Sequence, residues 1–136
     1  MNFTGKILLA DDEAHIRKFI GILVRRLGTP AVIEAREGQE AVDLFIRESP
    51  DLVLLDISMP GLDGLQALAA IRQADPEAVV IMLTSMTNRK SIDECLRLGA
   101  TAYLRKDLPH LEILAELEKI IGEIFGDAVA GPAPVS

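Results

Sequence analysis

The sequence contains few of the residues on which several classes of protein depend. Cys95 is its one cysteine, so an intrachain disulfide and a zinc site built from cysteines are both excluded. The longest apolar run covers only residues 78–83, whereas a transmembrane helix needs about 20 apolar residues. The acidic segment 11–13 interrupts the N-terminal region before an apolar stretch of signal-peptide length can develop. We therefore expect a cytoplasmic protein that does not cross a membrane.

Basic residues are also in short supply. The chain has 14 Lys and Arg against 21 Asp and Glu, which gives a formal net charge of −7 at pH 7. An acidic surface repels nucleic-acid phosphates, so we expect no direct nucleic-acid binding. The length of 136 residues suits one domain, and 49% apolar residues are enough to form one core.

Short apolar runs alternate with longer segments that have the spacing of helices. The runs cover residues 6–10, 31–35, 52–55, 78–83 and 101–104. Between them, apolar residues recur at intervals of three and four, as Ile16, Ile20, Leu23 and Leu27 do, which is typical of one helix face. Five strand–helix units in alternation predict an α/β fold of the (βα)5 type, with a parallel sheet and helices on both faces.

The composition of the runs predicts their order in the sheet. Residues 52–55 and 78–83 are apolar throughout, as expected of strands covered on both faces. Residues 31–35 and 101–105 include polar side chains, as edge strands do. We therefore predict the order 2-1-3-4-5 of a doubly wound, flavodoxin-like sheet. The domain is expected to cover residues 4–125, followed by a flexible tail or the start of a linker over 126–136.

Polar side chains follow four of the five predicted strands. Asp11 and Asp12 follow the first strand, Asp56 the third, Thr84 the fourth and Lys106 the fifth. In an open parallel sheet, ligands bind beyond the carboxyl ends of the strands at the point where chain order reverses. We therefore expect these side chains to share one crevice. Close carboxylates repel one another unless a positive charge lies between them, and Mg²⁺ or a lysine meets that need.

Each of these residues, taken alone, has an ordinary structural explanation. Asp11 and Asp12 could cap the following helix, and Asp56 could cap a turn. Thr84 could be an ordinary strand-end hydroxyl, and Lys106 a solvated charge. Their coincidence at one sheet edge favours a functional site. A carboxylate nucleophile, a cation site, a hydroxyl donor and a counter-charge are what phosphoryl transfer to an aspartate requires.

Four segments together resemble the receiver domain of two-component response regulators, and the resemblance covers most of the chain. They are Ile7–Glu13, Leu54–Gly64, Leu83–Ser85 and Gly99–Lys106. The resemblance implies that a sensor histidine kinase or a histidine phosphotransfer protein passes a phosphoryl group to Asp56. It implies a signalling switch that catalyses only its own phosphorylation and dephosphorylation, and not an enzyme of metabolism. The output would be a change on the face formed by the fourth helix, fifth strand and fifth helix, which a downstream partner or an output domain would read.

The resemblance also implies a metal site. Asp12 and Asp56 would hold Mg²⁺ through their carboxylates, with the backbone carbonyl of Ser58 as a further ligand. Asp11 would lie close by or act through a water molecule.

Three further roles follow from the same resemblance. Lys106 would pair with one oxygen of the phosphoryl group, and the Thr84 hydroxyl would donate to another. Tyr103 would be the switch aromatic, turning inward when Thr84 moves toward the phosphoryl group.

The sequence departs from the family pattern at three places near these residues. One is Ser58, two residues after Asp56, whose short side chain can help only at close range. The family has proline after the lysine, with a cis bond between them, whereas Asp107 follows Lys106 here. Because a cis bond without proline costs about 2.5–4 kcal/mol, the isomer of this bond and the reach of Lys106 stay open. Met86 is apolar where a polar side chain could orient an attacking water, which predicts slow loss of the phosphoryl group.

Several alternatives remain at this point. A haloacid-dehalogenase-type phosphatase also uses a strand-end aspartate, although Ser58 stands where its second aspartate would be. A flavodoxin-like electron carrier shares the strand order, but the acidic segment 11–13 would repel a flavin phosphate. A receiver-like scaffold that works without phosphorylation is a third interpretation.

The last helix has a broad apolar stripe, which includes Ile113 and Leu117. This stripe is either an ordinary core face or a docking face, and the docking partner could be a second copy of the chain in a phosphorylation-dependent homodimer. The chain is either a stand-alone receiver or part of a longer regulator.

Overall fold

All five predicted strands and all five predicted helices form in the computed structural model, which describes residues 2–85 and 89–126. The strands are β1 (Lys6–Ala10), β2 (Ala31–Ala35), β3 (Leu52–Asp56), β4 (Val80–Thr84) and β5 (Ala102–Arg105). The helices are α1 (Ala14–Val24), α2 (Gly38–Glu48), α3 (Gly64–Ala74), α4 (Arg89–Arg97) and α5 (His110–Phe125), and a short 3₁₀ turn, Arg25–Leu27, extends α1. Apart from Gly126, the expected tail lies outside the described residues, as does Met86.

The strands form one parallel sheet in the order β2-β1-β3-β4-β5, which confirms the predicted flavodoxin-like topology. Every residue of β3 and β4 is buried, whereas β2 and β5 each retain exposed or half-buried residues. The apolar runs therefore lie in fully buried central strands, and the mixed runs lie in edge strands whose side chains stay partly exposed.

Side chains of the sheet alternate between two cores. Leu8, Val53 and Met82 pack with α2, α3 and α4 on one face. Ile7, Leu54 and Ile81 pack with α1 and α5 on the other face. Because consecutive strand residues point to opposite faces, each central strand is fixed from both sides, and its carboxyl end is held in place.

Strand β4 begins later than the apolar run predicts. The run starts at Ala78, but the first strand residue is Val80. The Ala78 N–H donates to the Asp75 carbonyl at 3.1 Å, and the Ala78 carbonyl accepts a hydrogen bond from Arg72 Nη1 at 2.6 Å. These bonds commit Ala78 to the turn after α3, so its apolar side chain joins the core from outside the strand.

The loop between β3 and α3 is compact because its ends are fixed. Asp63 caps α3: its carboxylate accepts from the Gln66 N–H, and its own N–H donates to the Gln66 side chain. The Gly64 N–H donates to the Ile57 carbonyl at 2.9 Å. A side chain at Gly64 would overlap the carbonyl oxygen of Asp56, so this close approach requires glycine.

None of the helices within the described ranges combines the length and the hydrophobicity that a membrane span needs.

We expect Gly64→Ala to lower the free energy of unfolding by about 2–3 kcal/mol, because the new methyl group would have to displace backbone next to Asp56. Gly21→Ala, within α1, is the matched control. Its methyl group would meet the movable end of Arg25 at 3.3 Å, and the helix interior favours alanine by about 0.5–1 kcal/mol. Urea unfolding of both variants measures the difference, and equal effects would contradict this account of the loop.

Candidate functional site

Three carboxylates meet at the carboxyl edge of β1 and β3. Asp11 and Asp12 directly follow β1, and Asp56 is the last residue of β3. One carboxylate oxygen from each lies within 4.8 Å of the other two. Asp11 and Asp56 are buried, whereas Asp12 is exposed at the rim. Glu13 is the N-cap residue of α1 and its side chain makes no cap hydrogen bond, while the Asp11 carboxylate accepts from the Glu13 N–H at 2.9 Å, so capping accounts for only part of the contacts of Asp11.

Lys106 extends from the end of β5 into this cluster. Its Nζ lies 2.8 Å from Asp11 Oδ2 and 3.1 Å from Asp56 Oδ1, and its side chain is only 8% exposed. The Lys106 N–H donates to the Thr84 carbonyl at 2.9 Å, which continues the pairing of β4 with β5. The ammonium group therefore bridges residues that lie far apart in the sequence.

The absence of proline after Lys106 does not prevent this reach. The described backbone contains no cis peptide bond, so the Lys106–Asp107 bond is trans. The residues on either side of Lys106 pair with each other: Arg105 Nε lies 3.0 Å from Asp107 Oδ1, and Arg105 Nη2 lies 2.8 Å from Asp107 Oδ2. This two-point ion pair spans the turn while Lys106 contacts the acidic cluster.

Burial and the neighbouring charges shift the pKa values of Asp56 and Lys106. Burial and, to a smaller extent, the charge of Asp11 raise the pKa of Asp56 from 3.8 to about 6, although Lys106 and the Ser58 N–H oppose the shift. Burial lowers the pKa of Lys106, but its hydrogen bond to Asp11 and the charges of Asp56 and Asp11 more than offset this, so the pKa is raised. Lys106 is therefore protonated at neutral pH, and it contacts the carboxyl groups of both Asp11 and Asp56.

The other predicted site residues are Thr84, Ser58 and Tyr103, and they differ in burial and in their contacts with Asp56. Thr84 ends β4 and is 3% exposed. The Ser58 N–H donates to Asp56 Oδ1 at 3.3 Å. Tyr103, in the edge strand β5, is 41% exposed. The structure thus brings Asp11, Asp12, Asp56 and Lys106 together and leaves Tyr103 on the outer surface.

Arg17 also belongs to this site and was not predicted from the sequence. Its Nη1 donates to the backbone carbonyl of Asp11 at 2.7 Å, and its side chain is 12% exposed. A usable signal was its position next to Ile16 and three residues before Ile20, which places it beside the buried face of α1.

The donor set suits a hard divalent cation. All three side chains offer oxygen atoms, which Mg²⁺ prefers, and the described cluster includes no histidine or cysteine. Asp11 is engaged by Lys106 and by the Glu13 N–H, whereas the exposed Asp12 faces the rim. Lys106 and the Ser58 N–H both contact Oδ1 of Asp56, which leaves its Oδ2 and the exposed Asp12 carboxylate better placed for a cation than Asp11.

Comparison with known proteins identifies the family. The family described as response regulator receiver domain matches residues 7–118. The chain belongs to the response regulator receiver family. Chemotaxis protein CheY of Listeria monocytogenes is 38% identical over 114 residues, which cover 84% of this chain and 96% of that protein. Receiver domains of this type are signalling switches and not classical enzymes.

Solved structures agree in fold. A two-component response regulator of the LuxR family from Aurantimonas sp. superposes with a TM-score of 0.81 at 30% identity, covering 89% of this chain and 87% of that one. The CheX–CheY complex with beryllofluoride and magnesium from Borrelia burgdorferi gives a TM-score of 0.79 at 28% identity, with 88% of each chain covered. These likenesses favour the receiver interpretation over the phosphatase and the electron carrier.

Removing the Asp56 charge should stabilise the metal-free protein at neutral pH. The pKa of Asp56 is higher in the folded chain than its ordinary 3.8, so the folded state binds the proton more tightly than the unfolded state. The resulting destabilisation is absent below pH 3.8, grows between pH 3.8 and about 6, and is complete above that range. A shift of about two pKa units corresponds to roughly 3 kcal/mol, and Asp56→Asn should recover about 1–3 kcal/mol of it in unfolding experiments with EDTA at about pH 7.5.

The same substitution should give little gain near pH 4, where Asp56 is largely protonated in the folded state. Asp43→Asn, which removes one exposed carboxylate of α2, is the control for net charge. A gain that is equal at both pH values, or equal in the control, would contradict the assignment of a strained carboxylate to Asp56.

Proposed function

We propose that Asp56 is the phosphoryl acceptor of a receiver domain that covers residues 4–125. A sensor histidine kinase or a histidine phosphotransfer protein would be the donor. The observation that carries the proposal is the ammonium group of Lys106, which lies within 3.1 Å of Asp56 and within 2.8 Å of Asp11 in a buried pocket. A scaffold that works without phosphorylation would have no need to bury two carboxylates against one lysine, since such burial opposes folding.

Asp12, Asp56 and the backbone carbonyl of Ser58 would hold Mg²⁺, with Asp11 close by. When bound, the ion supplies positive charge against the oxygens of the transferring phosphoryl group. The cluster supports this assignment because three carboxylate oxygens within 4.8 Å of one another carry more negative charge than Lys106 alone balances.

The residues of this chain would carry the transfer itself. An ionised oxygen of Asp56 would attack the phosphorus as the P–N bond to the donor imidazole breaks. The nitrogen would keep the electron pair of that bond and take a proton from solvent water. A pKa of about 6 leaves Asp56 mostly ionised at neutral pH. Lys106 would then pair with a phosphoryl oxygen, and Thr84, buried at the neighbouring strand end, would donate its hydroxyl to another.

The signal would leave the site through α4, β5 and α5. The new phosphoryl group adds about 1.5–2 negative charges, and Thr84 moving toward it would allow Tyr103 to turn inward. A groove of about 440 Å³ already lies on this face, and its lining includes Tyr103, Leu96 and Ile120. A downstream protein, an output domain or a second copy of the chain would read the changed surface, and sedimentation of the phosphorylated protein separates the dimer from the other two.

Asp56→Asn should abolish Mg²⁺-dependent labelling by radioactive acetyl phosphate, because the amide oxygen is a far weaker nucleophile than a carboxylate. We expect a loss of at least about 100-fold in initial rate, whereas Asp43→Asn should label like the unaltered chain. Undiminished labelling of Asp56→Asn would show that another residue is the acceptor. Hydrolysis of a generic phosphomonoester by the unaltered chain would instead favour the phosphatase.

Tyr103 should become less accessible when the site is filled with beryllofluoride and Mg²⁺. It is the only tyrosine, and the chain has no tryptophan, so tyrosine emission reports on this position alone. We expect acrylamide quenching to fall by about half if the inward state becomes dominant. Thr84→Ala should bind the same ligands with a much smaller change in quenching. Unchanged quenching in the unaltered chain, with bound beryllofluoride seen by fluorine NMR, would contradict the proposed switch.

A further inference from the structure

Arg17 joins three parts of the molecule at the acidic site. It lies in the first turns of α1, its Nη1 donates to the Asp11 carbonyl at 2.7 Å, and its Nε donates to Glu34 Oε1 of β2 at 3.2 Å. The guanidinium group is therefore shared between the loop that follows β1 and the edge strand beside it. The planar group donates in two directions from one rigid plane, which a lysine cannot do.

The contact with Arg17 completes the immobilisation of Asp11. The Asp11 N–H donates to the Ala35 carbonyl at 3.1 Å. One carboxylate oxygen accepts from the Glu13 N–H at 2.9 Å, and the other accepts from Lys106 at 2.8 Å. With Arg17 on the carbonyl, every hydrogen-bonding group of Asp11 has a partner.

The carbonyl that Arg17 holds belongs to the peptide plane between Asp11 and Asp12. Because that plane is rigid, fixing its oxygen also fixes the direction in which the chain enters Asp12. Asp12 is exposed, and one of its carboxylate oxygens lies within 4.8 Å of those of Asp11 and Asp56. Because little packs around an exposed side chain, the direction of the Asp12 carboxylate depends on its backbone. Arg17 lies behind the acidic loop and contacts it through a main-chain atom only.

We propose that Arg17 is a positioning residue that orients Asp12 toward the cation site, an inference that rests on the proposed function of that site. Arg17 does not contact the phosphoryl group or the acceptor. It sets the geometry of the β1–α1 loop before any cation binds.

Arg17→Ala, with Lys18→Ala as the matched control, tests the proposal. Lys18 is the adjacent residue of α1, carries the same charge and is exposed. In the metal-free protein, hydrogen exchange of the Glu13 amide should accelerate about tenfold in Arg17→Ala, because its acceptor Asp11 loses an anchor. The amide of the core residue Leu54 should exchange as in the unaltered chain, as should both amides in Lys18→Ala.

Magnesium binding provides a second, independent measurement. Titration of MgCl₂ followed by backbone amide shifts should give a dissociation constant about tenfold weaker in Arg17→Ala, since partners behind metal ligands commonly contribute 10–100-fold. The rate of labelling by acetyl phosphate at saturating MgCl₂ should stay within about twofold of the unaltered chain. Arg17→Lys, which can reach one of the two partners, should fall between.

The outcomes separate this inference from the proposed function. If the unaltered chain binds no Mg²⁺, the proposed function fails. If the unaltered chain binds Mg²⁺ and Arg17→Ala binds it equally well with unchanged Glu13 exchange, only the role of Arg17 is overturned. If Arg17→Ala fails to fold, Arg17→Lys and Glu34→Gln provide the test. Weaker Mg²⁺ binding by these variants at unchanged thermal stability would support the proposal. Unchanged Mg²⁺ binding with lower thermal stability would overturn it.

Discussion

Two buried carboxylates share one ammonium group, and the site depends on this contact. Asp11 and Asp56 would repel each other across a dry pocket without Lys106, which approaches both within 3.1 Å. The three residues come from the ends of β1, β3 and β5, so they meet only when the sheet has its full order. Formation of the fold and formation of the site are therefore one event.

The buried carboxylates lower the free energy of unfolding, and the apolar cores on both faces of the sheet hold them in place. Burial raises the pKa of Asp56 to about 6, so at neutral pH the fold contains a carboxylate that would be more stable in water. Leu54, Leu55 and Leu83, which lead into or lie beside the site, are fully buried. The apolar strands thus hold the polar strand ends in place. A cation bound beside Asp56 would offset the free-energy cost of burying its ionised carboxylate.

The same balance of charges favours a cation at the acidic site. Lys106 stays protonated because its hydrogen bond to Asp11 and the charges of Asp56 and Asp11 outweigh the effect of burial on its pKa. A single fixed ammonium leaves part of the carboxylate charge uncompensated. A hard cation would relieve the excess, and under the proposed function the ammonium would then pair with a phosphoryl oxygen.

Sequence patterns predicted those features that depend on periodicity and strand ends. The bounds of β1 and β2, the strand order and the edge that carries the polar residues all follow from apolar runs and their polarity. The start of β4 was wrong by two residues, because backbone bonds at Ala78 decide it and side-chain hydropathy does not. The position of Arg17 beside the buried face of α1 was a usable signal, but its partner could not be predicted, because Arg17 acts on a carbonyl oxygen that every residue possesses.

The position of Lys106 shows a different limit. Asp107 in place of proline left its reach open, and the two-point ion pair with Arg105 that spans the turn depends on side-chain geometry that spacing alone does not reveal. Tyr103 is 41% exposed. Its side chain lies on the outer face of the edge strand β5, and the apolar pattern of so short a strand does not reveal which face is covered.

A crystal structure of the protein with Mg²⁺ and beryllofluoride tests the central claim most directly. The account predicts density for the cation between Asp12 and Asp56, and for a beryllofluoride group attached to Asp56 with Lys106 in contact with one of its fluorines. An empty pocket in crystals grown with both ligands, with Lys106 still joining Asp11 to Asp56, would contradict it.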